Sequence, residues 1–112
     1  MLILPIKRKW FDMIKSGEKK EEYREIKLYW NSRIGKEMFG APLRNISKEL
    51  LKKSYNTKEF WVRFINGYSQ ISPTLYAKCT FNIGKGKTEW GAEPNTNYYV
   101  FKILEIVGGE DE

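Results

Sequence analysis

The chain has 112 residues, 20 of them Lys or Arg, 14 Asp or Glu and none His, for a formal net charge of +6. That length corresponds to one domain, large enough to bury roughly 60–70% of its unfolded surface in a modest core without covalent staples. With no histidine there is no Ser-His-Asp triad, no Cys-His pair and no His-containing zinc site, and a single cysteine, Cys79, forms no internal disulfide.

In chain order, residues 2–6 form a short apolar run that predicts a buried strand. The charges Lys7-Arg8-Lys9 follow that run, the reverse of a signal peptide, and no stretch approaches the ~18 apolar residues of a membrane span. Neither a targeting nor a membrane segment is therefore expected, and the lone cysteine fits a reducing, cytoplasmic compartment. Residues 7–16 place Trp10, Phe11, Met13 and Ile14 at helical spacing as core anchors, with Gly17 as the stop. Residues 19–26 are charged around Tyr23 and Ile26 and predict a strand with one exposed face. Residues 27–45 read as irregular, broken by Gly35, Gly40 and Pro42, and residues 46–53 as a short helix.

The second half is richer in strand signals. Phe60, Val62 and Phe64 alternate with Trp61, Arg63 and Ile65 up to Asn66-Gly67. Leu75, Ala77, Cys79, Phe81 and Ile83 alternate with polar neighbours, which places Cys79 on an apolar face as a small core residue. Residues 98–107 are nearly continuously apolar, as in a central strand. Short strands with few helices predict a mostly β fold, a small β-barrel with one N-terminal helix and one or two short additional helices. Residues 1–108 form one domain on this reading, and residues 109–112 an acidic tail.

The charge is uneven. Residues 1–53 hold 14 basic and 7 acidic residues, a net +7, whereas residues 54–112 hold 6 and 7, a net −1. With 4 Trp, 7 Tyr and 6 Phe, a basic domain of this kind points to a polyanionic partner, foremost nucleic acid. Gly84-Lys85-Gly86-Lys87-Thr88 resembles a phosphate loop only superficially, because the glycine required five residues before Gly86 is Phe81 and no helix follows. It reads as a glycine-rich hairpin turn with basic side chains. Glu21 and Glu22 are adjacent and on a strand face opposite ways, so they do not form an acid–base pair. Glu22 and Arg24 share a face, and Lys19 is placed to join them at the mouth of a cavity. A lysine desolvated there could serve as base or nucleophile; solvated, it would be an ordinary surface charge.

Gly17-Glu18-Lys19-Lys20-Glu21-Glu22-Tyr23-Arg24 resembles the Gly-x-Lys-x-x-Glu-x-Arg signature of the ASCH domain family. Leu4-Pro5-Ile6-Lys7 and the Trp10-Phe11…Ile14 helix are similar to its opening elements, as are Tyr29-Trp30, Arg33-Ile34, Phe64-Ile65-Asn66-Gly67-Tyr68, Glu89-Trp90-Gly91-Ala92 and Tyr98-Tyr99-Val100 to its later landmarks. The likeness covers residues 2–34 and 60–107; residues 36–58 match no landmark and read as an insertion.

The resemblance implies a PUA-like β-barrel with Lys19, Glu22 and Arg24 as the polar centre of a cleft. Trp30, Arg33, Asn66, Tyr68 and Trp90 are candidates for its walls, and Lys7 flanks it. Such a cleft suits RNA in single-stranded form, or a modified nucleotide or nucleoside, with cations on phosphate and an aromatic plate under a base. For Trp30, Tyr68 and Trp90, packing within the barrel is the competing role. The alternative is a small hydrolase. One branch of the family deacetylates N4-acetylcytidine with a lysine, a threonine and a glutamate, and some members are credited with nuclease activity. Lys19 corresponds to that lysine, Glu22 stands at the threonine position, and Glu89 and Glu93 are candidates for the glutamate. Lys19 and Glu22 are thus the residues on which catalysis would fall. No metal or cofactor is implied, and the choice between a monomer and a weak dimer stays open.

Overall fold

Local sequence chemistry accounts for most elements of the computed structural model, which describes residues 1–40, 58–67 and 71–108. Strand β1 (Leu2–Pro5) buries Leu2 and Leu4. Helix α1 (Arg8–Ser16) buries Phe11 and Ile14 and ends at Gly17. That residue has φ 87°, a left-handed conformation favouring glycine, and its N–H reaches the Ile14 carbonyl at 3.0 Å. Strand β2 (Glu21–Glu25), helix α2 (Leu28–Phe39) and strands β3 (Phe60–Ile65), β4 (Thr74–Lys85) and β5 (Asn97–Val107) follow.

The strands form one sheet in the order β1-β3-β4-β5-β2. The β1–β3 pair is parallel and the other three pairs are antiparallel. The sheet is mostly antiparallel and curls into a half-barrel. Its two edges, β1 and β2, are not paired with each other. A bulge at Lys78/Cys79 shifts the β4–β5 register, and bulges of this kind bend a strand and increase its twist. The inner face carries Leu4, Phe64, Leu75, Phe81, Tyr99 and Phe101, packed with Phe11 and Ile14 of α1 and Ile34 of α2. Each such large side chain contributes roughly 1.5–3 kcal/mol by leaving water.

Cys79 sits in this core with no exposed surface, and burial pushes its thiol from 9.0 up to about 12. It therefore stays a thiol at neutral pH. Iodoacetamide at pH 8 is expected to label it in denaturant and to leave the folded protein essentially unmodified. The folded pKa is the higher one, so the contribution to stability is complete below pH 9 and is lost as pH rises through about 12. Wild type should accordingly lose more stability between these values than Cys79→Ala does, as read by urea unfolding.

Three sequence expectations are corrected. Residues 28–39 are helical rather than irregular. Asn31, Ile34 and Gly35 recur on a buried stripe with Met38 packed beside it, and this tertiary face overrides the roughly 1 kcal/mol that a mid-helix glycine costs. Gly40, at φ 80°, ends that helix. Strand β2 has no fully exposed face, because Glu22 is buried on one side and Tyr23 on the other, the latter packed with Ala92, Tyr98 and Val100. The glycine-rich segment is not a tight hairpin turn. β4 runs through Gly84 to Lys85, and residues 86–96 make a longer connection containing a 3₁₀ turn at Thr88–Trp90. The helix expected at 46–53, most of the 36–58 segment and the acidic tail lie outside the described residues.

Candidate functional site

β1 and α1, and β2 and α2, meet in short connections on either side of the unpaired seam. The ion triad expected from the Lys-x-x-Glu-x-Arg spacing forms at this seam. Lys19 Nζ lies 3.0 Å from Glu22 Oε1, and Arg24 Nη1 donates to Glu22 Oε2. Both carboxylate oxygens are thus occupied. Lys19 is 1% exposed and also donates to the carbonyls of Glu21 (2.5 Å) and Trp90 (2.9 Å), so its three protons have three acceptors. Burial lowers its pKa from the usual lysine value, against the opposing charge and hydrogen bond of Glu22. Arg24 spans the seam: Nη1 also donates to its neighbour Tyr23 O at 2.8 Å, and Nη2 to Pro5 O of β1 at 2.7 Å.

A cleft of about 270 Å³ opens here, close to the lower end of the ~300–1,000 Å³ typical of small-molecule sites. Its wall combines the cations Lys7 and Arg24 with Trp10, Trp30 and Trp90, together with Glu22 and Glu25. Each tryptophan has a cation near its ring: Lys9 at 4.6 Å over Trp10, Arg24 at 5.2 Å over Trp30, and Lys87 at 4.7 Å over Trp90. Both helices begin at the cleft with a lysine N-cap (Lys7, Lys27), no side-chain cap and no acid in the first turn. Their free first-turn N–H groups and dipoles add positive potential.

The β4–β5 connection brings Trp90 to the cleft because β2 and β5 hold it in place. Lys87 N–H donates to the Tyr23 hydroxyl at 2.9 Å, that hydroxyl donates to Glu21 Oε1 at 2.7 Å, and Glu93 N–H donates to the Tyr98 hydroxyl at 2.9 Å. Burial raises the Tyr23 phenol far above its usual pKa, so it remains a neutral donor. A Cβ at Gly86 would lie 2.6 Å from the Tyr23 ring and 2.8 Å from Ala92 Cβ. Gly86→Ala is expected to cost about 1–3 kcal/mol in urea unfolding, since neither neighbour is the end of a flexible chain.

Of the residues singled out in sequence, Lys7, Glu22, Arg24, Trp30 and Trp90 share the cleft wall. Lys19 lies one contact behind it, on Glu22 and the Trp90 carbonyl. Arg33 is not on the wall. It donates to Ile3 O at 3.1 Å and to the Tyr29 hydroxyl at 2.8 Å, and so anchors α2 to β1. Asn66 is not on the wall either, and its N–H donates to Pro73 O in the turn after β3. Tyr68 lies outside the described residues. Glu89 and Glu93 are both in the β4–β5 connection and off the cleft wall. Sequence reasoning missed Trp10 and Tyr98 as wall residues. For Trp10 the available signal was its position three residues after Lys7, on the same side of the first helical turn.

Among the described residues, no group of three His, Cys, Asp or Glu side chains is placed to hold a metal ion, and no helix is long and apolar enough to cross a membrane. No protein-family model, curated protein or solved structure matches the chain. The observed class is a curled half-barrel sheet with two helices against its inner face and a tryptophan-lined cleft at the open seam, its wall carrying the cations Lys7 and Arg24 and the carboxylates Glu22 and Glu25.

Proposed function

We propose that the chain is a binding module of the ASCH, PUA-like type whose cleft takes an unpaired nucleotide, in single-stranded RNA or as a modified nucleotide. The observation that carries this reading is the convergence of three tryptophans and two cations, Lys7 and Arg24, on one cleft of small-molecule size. Cations neutralise phosphate, and an aromatic ring stacks any base at roughly 1–3 kcal/mol. A cleft this small admits a splayed-out nucleotide, not a duplex. Titration of a short single-stranded RNA, followed by tryptophan fluorescence, tests the reading. With two or three phosphates neutralised, affinity should fall about tenfold between about 50 and 200 mM salt. No binding at the lower salt, or binding indifferent to salt, overturns it.

The hydrolase alternative rests on Lys19, whose pKa burial lowers. Its geometry favours a positioning role, because a base or nucleophile needs a lone pair directed at substrate and all three ammonium protons face acceptors of the chain. Incubation with N4-acetylcytidine and with a short RNA tests this alternative. Turnover by wild type that is lost in Lys19→Ala would establish it over the binding module.

A further inference from the structure

The cleft is walled on one side by the free edge of a strand, and that edge has an unusual balance of donors and acceptors. The Ile103 N–H donates to Lys20 O, and β2 pairs with β5 in the register Glu21↔Lys102 through Glu25↔Tyr98. In an antiparallel ladder, hydrogen-bonded and non-hydrogen-bonded pairs alternate. Glu22 and Arg24 therefore direct their main-chain groups at β5, whereas Glu21, Tyr23 and Glu25 direct theirs outward, across the seam towards β1. The outward carbonyls of Glu21 and Tyr23 are taken by Lys19 Nζ and Arg24 Nη1. On the facing edge, the carbonyls of Ile3 and Pro5 are taken by Arg33 and Arg24, and Pro5 has no N–H to offer. The Glu22 carboxylate is taken on both oxygens.

Donors are what remain. Among the described residues, the N–H groups of Tyr23 and Glu25 have no acceptor, and Arg24 has Nε and one Nη2 proton left over. Tyr23, Arg24 and Glu25 all belong to the cleft wall. A β-strand from another chain does not fit this edge, because strand addition needs the alternating carbonyls that Lys19 and Arg24 already occupy.

We propose that the free edge of β2 reads the ligand with its main chain: the N–H groups of Tyr23 and Glu25, with the spare protons of Arg24, receive acceptor oxygens, as a nucleotide offers in its phosphate and its base carbonyls. This rests on the nucleotide reading of the cleft. The two N–H groups are roughly 7 Å apart along the strand, more than one phosphate bridges, whereas a nucleotide has oxygens at both ends. Main-chain donors of this kind are positioned by the sheet before the ligand arrives, so little ordering entropy opposes binding.

The test is a ¹⁵N–¹H correlation spectrum of the full chain titrated with uridine 5′-monophosphate, inorganic phosphate and uridine in separate arms. With the monophosphate, the Tyr23 and Glu25 amide protons are expected to move downfield while those of Glu22 and Arg24, which are paired to β5, move little. Phosphate and uridine each should move the one amide that their oxygen reaches, which assigns the two ends of the ligand. Glu25→Pro, a substitution tolerated at an outward edge position, should bind the monophosphate about tenfold more weakly than Glu25→Ala, which lacks the same carboxylate but keeps the N–H. Monophosphate binding seen by tryptophan fluorescence, with the Tyr23 and Glu25 amides unmoved, overturns the main-chain proposal and leaves the nucleotide reading standing. No binding of the monophosphate or of an RNA oligonucleotide overturns both.

Discussion

Glu22→Ala is expected to destabilise the protein by about 3–5 kcal/mol in urea unfolding, the range for removing one partner of a buried ion pair. The reason is the charge left behind. Lys19 is 1% exposed, and with Glu22 gone its ammonium keeps only two carbonyl acceptors, those of Glu21 and Trp90. Arg24 keeps its bonds to Tyr23 O and Pro5 O, so Lys19 bears most of the loss. A double-mutant cycle with Lys19→Met and Glu22→Leu separates the contributions. The double variant should be more stable than Glu22→Leu alone, because it no longer buries an unpaired ammonium. Strict additivity would show that Lys19 and Glu22 do not act as a pair.

The pH dependence of the same variant has a definite sign. Lys19 has a lowered pKa in the folded chain, chiefly through burial, so between that value and 10.5 the unfolded chain binds more protons. The Lys19 contribution to stability therefore rises with pH across that window. Loss of Glu22 removes the group that opposes this lowering and widens the window. The difference in stability between wild type and Glu22→Ala should shrink as pH approaches 10.5.

The second large effect is on binding. Trp30→Ala should weaken single-stranded RNA binding by about 1–3 kcal/mol, a factor of about 5 to 150, because it removes a ring from the cleft wall. Trp61→Ala is the control. Trp61 is 38% exposed on β3 and is not on the cleft wall, so affinity should stay within about twofold of wild type. Equal losses in both variants would place binding outside the cleft. Trp30 also packs against the main core and lies edge-on to Tyr29 at 4.8 Å. Affinities should therefore be compared at a temperature where both variants are fully folded.

Much of this site is legible in the sequence, and the reason is periodicity. Glu22 and Arg24 are two apart on a strand, so they share a face wherever that strand packs. Lys19 follows Gly17, whose positive φ turns the chain back after α1 and sets the lysine under that face. Trp30 and Trp90 were legible only as candidates, since nothing local distinguishes a tryptophan lining a cleft from one filling a core. Arg33 shows the opposite failure. The resemblance offered it as a wall residue, yet the carbonyl of Ile3, 30 residues away in sequence, holds it against β1. Gly35 misled for a related reason: propensity is local, and the buried stripe that keeps α2 helical depends on the sheet beneath it.

By itself the sequence determined the alternating faces of β3 and β4, the stop of α1 at Gly17, the thiol on the inner face and the shared face of Glu22 and Arg24, all of which follow from spacings of one to five residues. The tertiary structure alone decided that β1 and β2 end as unpaired neighbours of a seam. It also decided that Arg24 reaches across that seam to Pro5, and that the main-chain N–H groups of Tyr23 and Glu25 point away from β5 and stay unpaired among the described residues. Which edge of a strand stays unpaired depends on strand order, a property of contacts remote in sequence on which no local pattern reports.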